Sequence, residues 1–150
     1  MKATEIARRW HEIAARGAVA DPDVFFQFIA DWIAFNAIYS SRFATVKGER
    51  NQVHALASDP EAVGRHQELL KSDDGYRQCI DAIKAHGVFD YRKRNYRRIG
   101  DDLNLKDVLD CTYQIRCNLF HGDKQHDEDR DRLLVEAGFK IISEIVTPFI

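Results

Sequence analysis

Apolar residues recur at helical spacing along most of the chain. Over residues 4–16 they fall on one face, and Gly17 predicts the end of that helix. Asp21-Pro22 is typical of an N-cap followed by a first-turn proline, and it predicts a second helix from Val24 to Tyr39. That second stretch is apolar almost all round, which favours a position in the middle of a bundle or at a subunit interface.

The rest of the chain keeps the helical pattern with interruptions. Residues 40–58 lack a period and predict a long connection. Further helices are predicted from Asp59-Pro60 to Lys71, over Tyr76–Ala85, over Leu105–Phe120 and over residues 127–147. No repeat and no strand ladder is predicted. The pattern therefore indicates an all-α fold, a bundle of four main helices with shorter inserted helices, in one domain spanning residues 1–150.

Composition and charge narrow the classes of function. The formal net charge of the 150 residues is −2, so any nucleic-acid contact must come from a local basic patch. No apolar run approaches the roughly 20 residues that span a bilayer, and the first residues lack the apolar core of a signal peptide. The three cysteines form no Cys-x-x-Cys pair. We expect a cytoplasmic protein with reduced thiols and no membrane contact.

One segment near the end of the predicted Leu105–Phe120 helix carries candidate chemistry. Arg116 projects into the arc of its buried face, where a charge is costly unless it is paired or faces a cleft. Function is one explanation, and pairing with Asp31 or another buried acid is the alternative. Asn118 and His121 are helical neighbours at i and i+3. An ideal helix places Arg116 and His121 about 140° apart, so one substrate meets both only if the last turn unwinds or a second chain completes the site.

The peptide Ile-Arg-Cys-Asn-Leu-Phe-His-Gly-Asp-Lys, residues 115–124, and the aromatic-rich stretch Asp31–Tyr39 resemble the HEPN superfamily of all-α domains. The resemblance implies an Arg-x(4–6)-His ribonuclease motif, matched by Arg116 and His121. Active members cut RNA without a metal or other cofactor: the 2′-hydroxyl attacks the adjacent phosphorus and leaves a 2′,3′-cyclic phosphate. It also implies a homodimer with motif helices meeting across a two-fold axis, and a toxin or defence role with an antitoxin-like protein partner.

The residue types suit that chemistry. His121 can remove the 2′-hydroxyl proton or protonate the leaving 5′-oxygen, and Arg116 can stabilise charge on the phosphate. Asn118 can orient His121 or bind phosphate. Many family members carry a polar residue, often Asn, directly after the motif arginine, where this chain has Cys117. The alternative function is an inactive HEPN module that binds RNA, a nucleotide or a partner protein.

A second candidate region is the basic block Tyr91–Arg98, in which five cations alternate with two tyrosines. Its cations are Arg92, Lys93, Arg94, Arg97 and Arg98. Such a segment can bind RNA phosphates and stack on unpaired bases, or it can be a solvated loop balanced by the acidic run at 127–131. Lys124 can assist phosphate binding.

Other sites are not predicted. The spacing of the histidines and acids over residues 121–129 matches no standard zinc or EF-hand pattern, so no metal site is expected. Surface or capping roles suffice for the remaining histidines, which are His11, His54, His66 and His86.

Overall fold

A computed structural model describes residues 2–20, 23–120 and 129–150. Seven α-helices and one short hairpin occupy these ranges. The helices are α1 Ala3–Ala20, α2 Val24–Arg42, α3 Glu49–Leu56, α4 Pro60–Ser72, α5 Asp74–His86, α6 Leu105–Phe120 and α7 Asp129–Val146. The strands are β1 Val88–Asp90 and β2 Asn95–Arg97, and a 3-10 turn, Thr147–Phe149, follows α7. The predicted all-α fold is confirmed.

The bundle is organised around α2. This helix packs against α1 on one side and α7 on the other, while α5 and α6 also contact α7 and α3 lies on α6. Phe28, Phe35 and Tyr39 of α2 are almost completely buried in one contiguous apolar cluster, as expected for a helix with so little polar surface. No helix in the described ranges combines the length and apolarity needed to cross a bilayer.

Side-chain caps explain several helix starts. The Asp59 carboxylate accepts hydrogen bonds from the backbone N–H groups of Glu61 and Ala62, and Pro60 begins α4 as predicted. Asp23 performs the same role for α2, whereas the predicted cap, Asp21-Pro22, lies outside the described residues. Gly17 does not end α1, which continues to Ala20.

The predicted long connection at 40–58 is wrong. α2 continues to Arg42, and α3 begins after Gly48, whose φ of +88° turns the chain into the new helix. Only two residues of this eight-residue helix, Val53 and Leu56, are buried. Two apolar positions are too few to establish a period in the sequence.

The absence of strands was also a wrong prediction. β1 and β2 pair antiparallel, with Val88 opposite Arg97 and Phe89 opposite Tyr96. The connecting turn, residues 91–94, is held by Asp90, whose carboxylate accepts from the backbone N–H groups of Arg92 and Lys93. Three-residue strands give too short an alternation to be recognised in the sequence, so the turn and tertiary contacts decide the hairpin.

Candidate nucleic-acid interface

A groove of about 800 Å³ opens between the start of α3, the hairpin and one face of α6. α3 contributes its first turn with the preceding Gly48, the hairpin contributes its turn, and α6 contributes the face that includes Arg116. Cations on the walls come from all three elements: Arg50, Arg92, Lys93, Arg97 and Arg116. The groove therefore gathers positive charge on a protein whose net charge is slightly negative.

Arg116 lies on the α6 wall with a quarter of its side chain exposed. Its Nη1 is 3.2 Å from Oε2 of Glu49, and its guanidinium lies 4.9 Å from the ring centre of Phe120. The Nε atom is buried without a hydrogen-bond partner among the described residues. Because Nη1 is paired with Glu49, the guanidinium is oriented in the groove wall, and its exposed part, which does not include the buried Nε, can meet an anion. Asp31, the acid named in the structural alternative, instead accepts a hydrogen bond from His11 at 2.7 Å.

Glu49 is itself held in place by α2 and α6. Its Oε1 accepts hydrogen bonds from the Tyr39 hydroxyl and, at 3.2 Å, from Asn36 Nδ2. Its Oε2 lies 3.4 Å from the Tyr113 hydroxyl. Burial raises the pKa of Tyr113 to about 12, so that hydroxyl stays protonated and donates. The carboxylate that orients Arg116 is thus fixed by three neutral donors.

Asp110 of α6 ties the groove walls together. Its Oδ1 accepts from Arg50 Nη1 at 2.5 Å and from His54 Nε2 at 2.8 Å, and its Oδ2 accepts from Arg97 Nη1 at 2.8 Å. Burial opposes ionisation of Asp110, but the hydrogen bond from His54 and the charges of Arg50 and Arg97 outweigh it, so its pKa is lowered. This one carboxylate connects α3, α6 and the hairpin.

Arg97 faces inward and its polar atoms are engaged. Besides Asp110, it donates to Asp90 Oδ2 from Nη2 at 2.9 Å and to Gln114 Oε1 from Nε at 3.2 Å. The counter-charges of Arg97 are therefore Asp90 and Asp110. Arg92, Lys93, Arg94 and Arg98 of the same block are exposed.

Asn118 is buried and takes part in packing the hairpin onto α6. Its Nδ2 donates to the backbone carbonyl of Phe89 at 2.9 Å, and its Oδ1 accepts from Gln114 Nε2 at 2.9 Å. The bond to Phe89 joins the backbone of β1 to α6, and the bond from Gln114 fixes the orientation of the amide. The amide still borders the groove, and its predicted role beside His121 stays a prediction.

The structure brings some of the predicted site residues together. The groove is lined by Arg116, Asn118, Arg92, Lys93 and Arg97, but not by Arg94 in the hairpin turn or by Arg98 directly after β2. His121 and Lys124 lie outside the described residues, as do most of the acids and histidines weighed as a metal site. Within the described ranges, no three His, Cys, Asp or Glu side chains are grouped as metal ligands would be.

Sequence reasoning missed Glu49, Asp110 and His54. Glu49 and His54 lie in the segment interpreted as a connection, so they had no predicted position in space. Asp110 sits on a helix that was predicted correctly, but its cationic partners come from positions 50, 54 and 97. The available signal was an acid among buried positions of a predicted helix, which indicates that it needs a cationic partner. A single sequence does not show which cation that partner is.

Comparison with known proteins does not add a relative. Protein-family models, curated proteins and solved structures were compared with the chain, and none matches it. The resemblance to the HEPN superfamily therefore rests on the residues of this chain, chiefly the segment from Arg116 to Lys124.

Proposed function

We propose that the chain is a HEPN-type, metal-independent endoribonuclease that acts in the cytoplasm. The observation that carries the proposal is the position of Arg116 on the wall of a cationic groove that the exposed Arg92 and Lys93 of the hairpin turn also line. RNA is a chain of phosphates with stackable bases, and a groove that combines arginines with Tyr91 and Tyr113 suits both features.

The reaction is a transesterification within the RNA strand. The 2′-hydroxyl attacks the adjacent phosphorus, the bond to the 5′-oxygen breaks, and the products carry a 2′,3′-cyclic phosphate and a 5′-hydroxyl. His121 accepts the proton of the 2′-hydroxyl or donates one to the leaving oxygen, because imidazole titrates near neutral pH. Arg116 stabilises the negative charge that grows on the phosphate oxygens. Glu49 keeps the guanidinium in one orientation, which lowers the entropy lost when phosphate binds.

A homodimer completes the site in this proposal. Arg116 and His121 project about 140° apart on an ideal helix, so two motif helices facing each other place the arginine of one chain near the histidine of the other. Mixing Arg116→Ala with His121→Ala tests this directly. In a mixed dimer one composite site has both native groups, so activity returns, whereas two inactive proteins stay inactive if each site uses one chain alone. Sedimentation of the wild type as a strict monomer would contradict the composite site.

The first experiment is cleavage of a mixed tRNA and mRNA substrate in excess EDTA. The proteins are the wild type, Arg116→Ala, His121→Ala and, as a control for loss of one arginine, Arg77→Ala on the exposed face of α5. We expect the wild type and Arg77→Ala to cut and to leave cyclic phosphate ends, and the two motif variants to be inactive. Wild-type protein that binds RNA without cutting it would refute catalysis.

A toxin or defence role with a neutralising protein partner is the biological setting that we propose. Expression of the wild type then arrests growth of the host, and His121→Ala relieves the arrest. An arrest that persists in His121→Ala would separate toxicity from the ribonuclease motif.

The second candidate function is an RNA-binding HEPN module without catalysis. Two contacts favour it: Arg116 is paired with Glu49, and the amide of Asn118 is committed to Gln114 and the first strand. In this case RNA binds with strong salt dependence but stays intact, and Arg116→Ala weakens binding without any change in products.

A further inference from the structure

The two faces of the hairpin differ in chemistry. Strand alternation places Asp90 and Arg97 on the inward face of the hairpin, where Arg97 bonds to Asp90 and also to Asp110 of α6. Phe89 and Tyr96 are directly opposite each other on the other face, which we call the outer face. Within the basic block, Arg97 thus supports the hairpin from inside, while the other four cations lie at the surface.

The outer face carries a cluster of three aromatic rings. The Phe89 ring lies 4.8 Å from Tyr91 and 5.1 Å from Tyr96, both in edge-to-face geometry. Tyr91 and Tyr96 are more than 40% exposed, at 41% and 44%. The guanidinium of Arg98 lies 5.1 Å from the centre of the Tyr96 ring. Exposed aromatic rings beside a planar cation resemble the surfaces on which unpaired bases stack.

Gly87 leaves room for Tyr96 and Arg98 to pack against the backbone. Its φ is +66°, and a Cβ there would lie 3.2 Å from Tyr96 Cδ1 and 3.3 Å from Arg98 Nη1. The ring and the guanidinium therefore lie close against the backbone where α5 passes into β1. Contact with the backbone restricts the Tyr96 ring on one side, which reduces the side-chain entropy that it loses when a ligand binds.

The basic charge of the hairpin favours an anionic ligand. Arg92, Lys93, Arg94 and Arg98 are exposed on or next to the hairpin, Arg98 contacts the Tyr96 ring, and the one acid between Val88 and Arg98, Asp90, is buried. A polyanion with flat apolar groups is complementary to this surface in both charge and shape, whereas a protein surface of mixed charge is not.

We infer that the outer face of the hairpin is a second RNA site, separate from the groove, that stacks unpaired bases of single-stranded RNA on Tyr96 and Arg98. The inference rests on the proposed function. Tyr91 lines the groove and also contacts Phe89, so it joins the two surfaces. A strand leaving the groove crosses Tyr91 and reaches Tyr96, which extends the footprint beyond the site of cleavage.

Binding of 2′-O-methyl RNA tests the inference without cleavage, because these strands lack the attacking hydroxyl. The ligands are a tetranucleotide, a dodecanucleotide and a duplex of the same length as the dodecanucleotide. The variants are Tyr96→Ala, Tyr96→Phe and Arg98→Ala. Phe26→Ala, an exposed ring on α2, and Arg77→Ala are the controls. Affinity is measured by fluorescence anisotropy over a series of salt concentrations.

Tyr96→Ala is expected to weaken binding of the dodecanucleotide about five- to tenfold, the lower part of the range for loss of one stacked base. The salt dependence stays the same because no charge is lost, and Tyr96→Phe retains the affinity. Arg98→Ala lowers the slope of log K against log salt by about 0.7, the value for one phosphate contact on a single strand. Binding of the tetranucleotide and of the duplex does not change with Tyr96→Ala, and both controls match the wild type.

Equal dodecanucleotide affinities for the wild type, Tyr96→Ala and Arg98→Ala would overturn the second site while leaving RNA binding in the groove intact. An equal loss on the duplex would overturn base stacking. A Tyr96→Ala effect seen only in self-association would make the outer face a protein contact, which also overturns the inference. Failure of the wild type to bind any of the strands would instead refute the proposed function itself.

Discussion

Replacing Asp110 with Asn removes the charge that holds three parts of the groove together. The side chain of Asp110 is 17% exposed and accepts from Arg50, His54 and Arg97. Asn keeps one acceptor oxygen, but its NH₂ group cannot accept, so the donors on one side of the carboxylate lose their partner in either orientation of the amide. A hydrogen bond to a charged group contributes about 1.5–3 kcal/mol, and Arg97 keeps its bond to Asp90, so we expect a loss of about 2–3 kcal/mol in the free energy of unfolding.

The assay is urea and thermal denaturation of Asp110→Asn beside Asp101→Asn. Asp101 is fully exposed and pairs with Lys84 at 2.9 Å, so Asp101→Asn should not measurably change the free energy of unfolding. A loss of 2–3 kcal/mol lowers Tm by about 4–12 °C in a chain of this size. Asp110→Asn with the stability of Asp101→Asn would refute the structural role of the cluster.

The pH dependence gives an independent check on Asp110. Its pKa is lower in the folded than in the unfolded protein, so the unfolded state binds more protons as pH falls. The stabilisation is complete well above the unfolded pKa of about 4 and is lost as pH falls through the folded pKa. The stability difference between wild type and Asp110→Asn should therefore narrow below about pH 4. A difference that is constant with pH would show that the lost contacts are not ionic.

Three further predictions concern packing and burial. Gly138→Ala places a Cβ 2.9 Å from Phe28 Cε2 and should lower the free energy of unfolding by about 1–3 kcal/mol. Gly64→Ala, whose Cβ has no atom within 4 Å, should raise it by about 0.5–1 kcal/mol. Chemical denaturation measures both changes. Burial lowers the pKa of His66, so its contribution to stability is complete above about pH 6.5 and is lost as the pH falls below that value. In His66→Gln, the free energy of unfolding should therefore fall less between about pH 7 and 5 than in the wild type. Asn118→Ala leaves a strand carbonyl without its donor and should cost about 1–3 kcal/mol, with faster amide exchange in the hairpin than in α6.

Helix positions were the part of the fold that local sequence predicted well. α6 begins and ends at the predicted residues, Leu105 and Phe120, and α4 begins at Pro60 behind its Asp59 cap. Caps and apolar periodicity act within one or two turns, so they can be recognised without knowledge of the partners. The one-turn error at Gly17 arises because glycine costs only roughly 1 kcal/mol inside a helix, which does not by itself end one.

The candidate site was only partly predictable. The sequence indicated that Arg116 needs a counter-charge or a cleft, and it has both, but the counter-charge is Glu49 in a helix that the sequence did not reveal. The basic block was recognised as a unit, although its Arg97 turned inward to Asp90 and Asp110.

The sequence by itself determined the all-α class, the main helices and the residues with chemistry to offer, because periodicity, caps and residue type are local properties. Tertiary structure decided the hairpin, the third helix and the pairing of cations with acids. Short elements have too few residues to carry a local signal, and their stability comes from contacts with distant segments. Which arginines remain exposed for a phosphate depends on where Glu49 and Asp110 lie in space, and that is settled only when the helices pack.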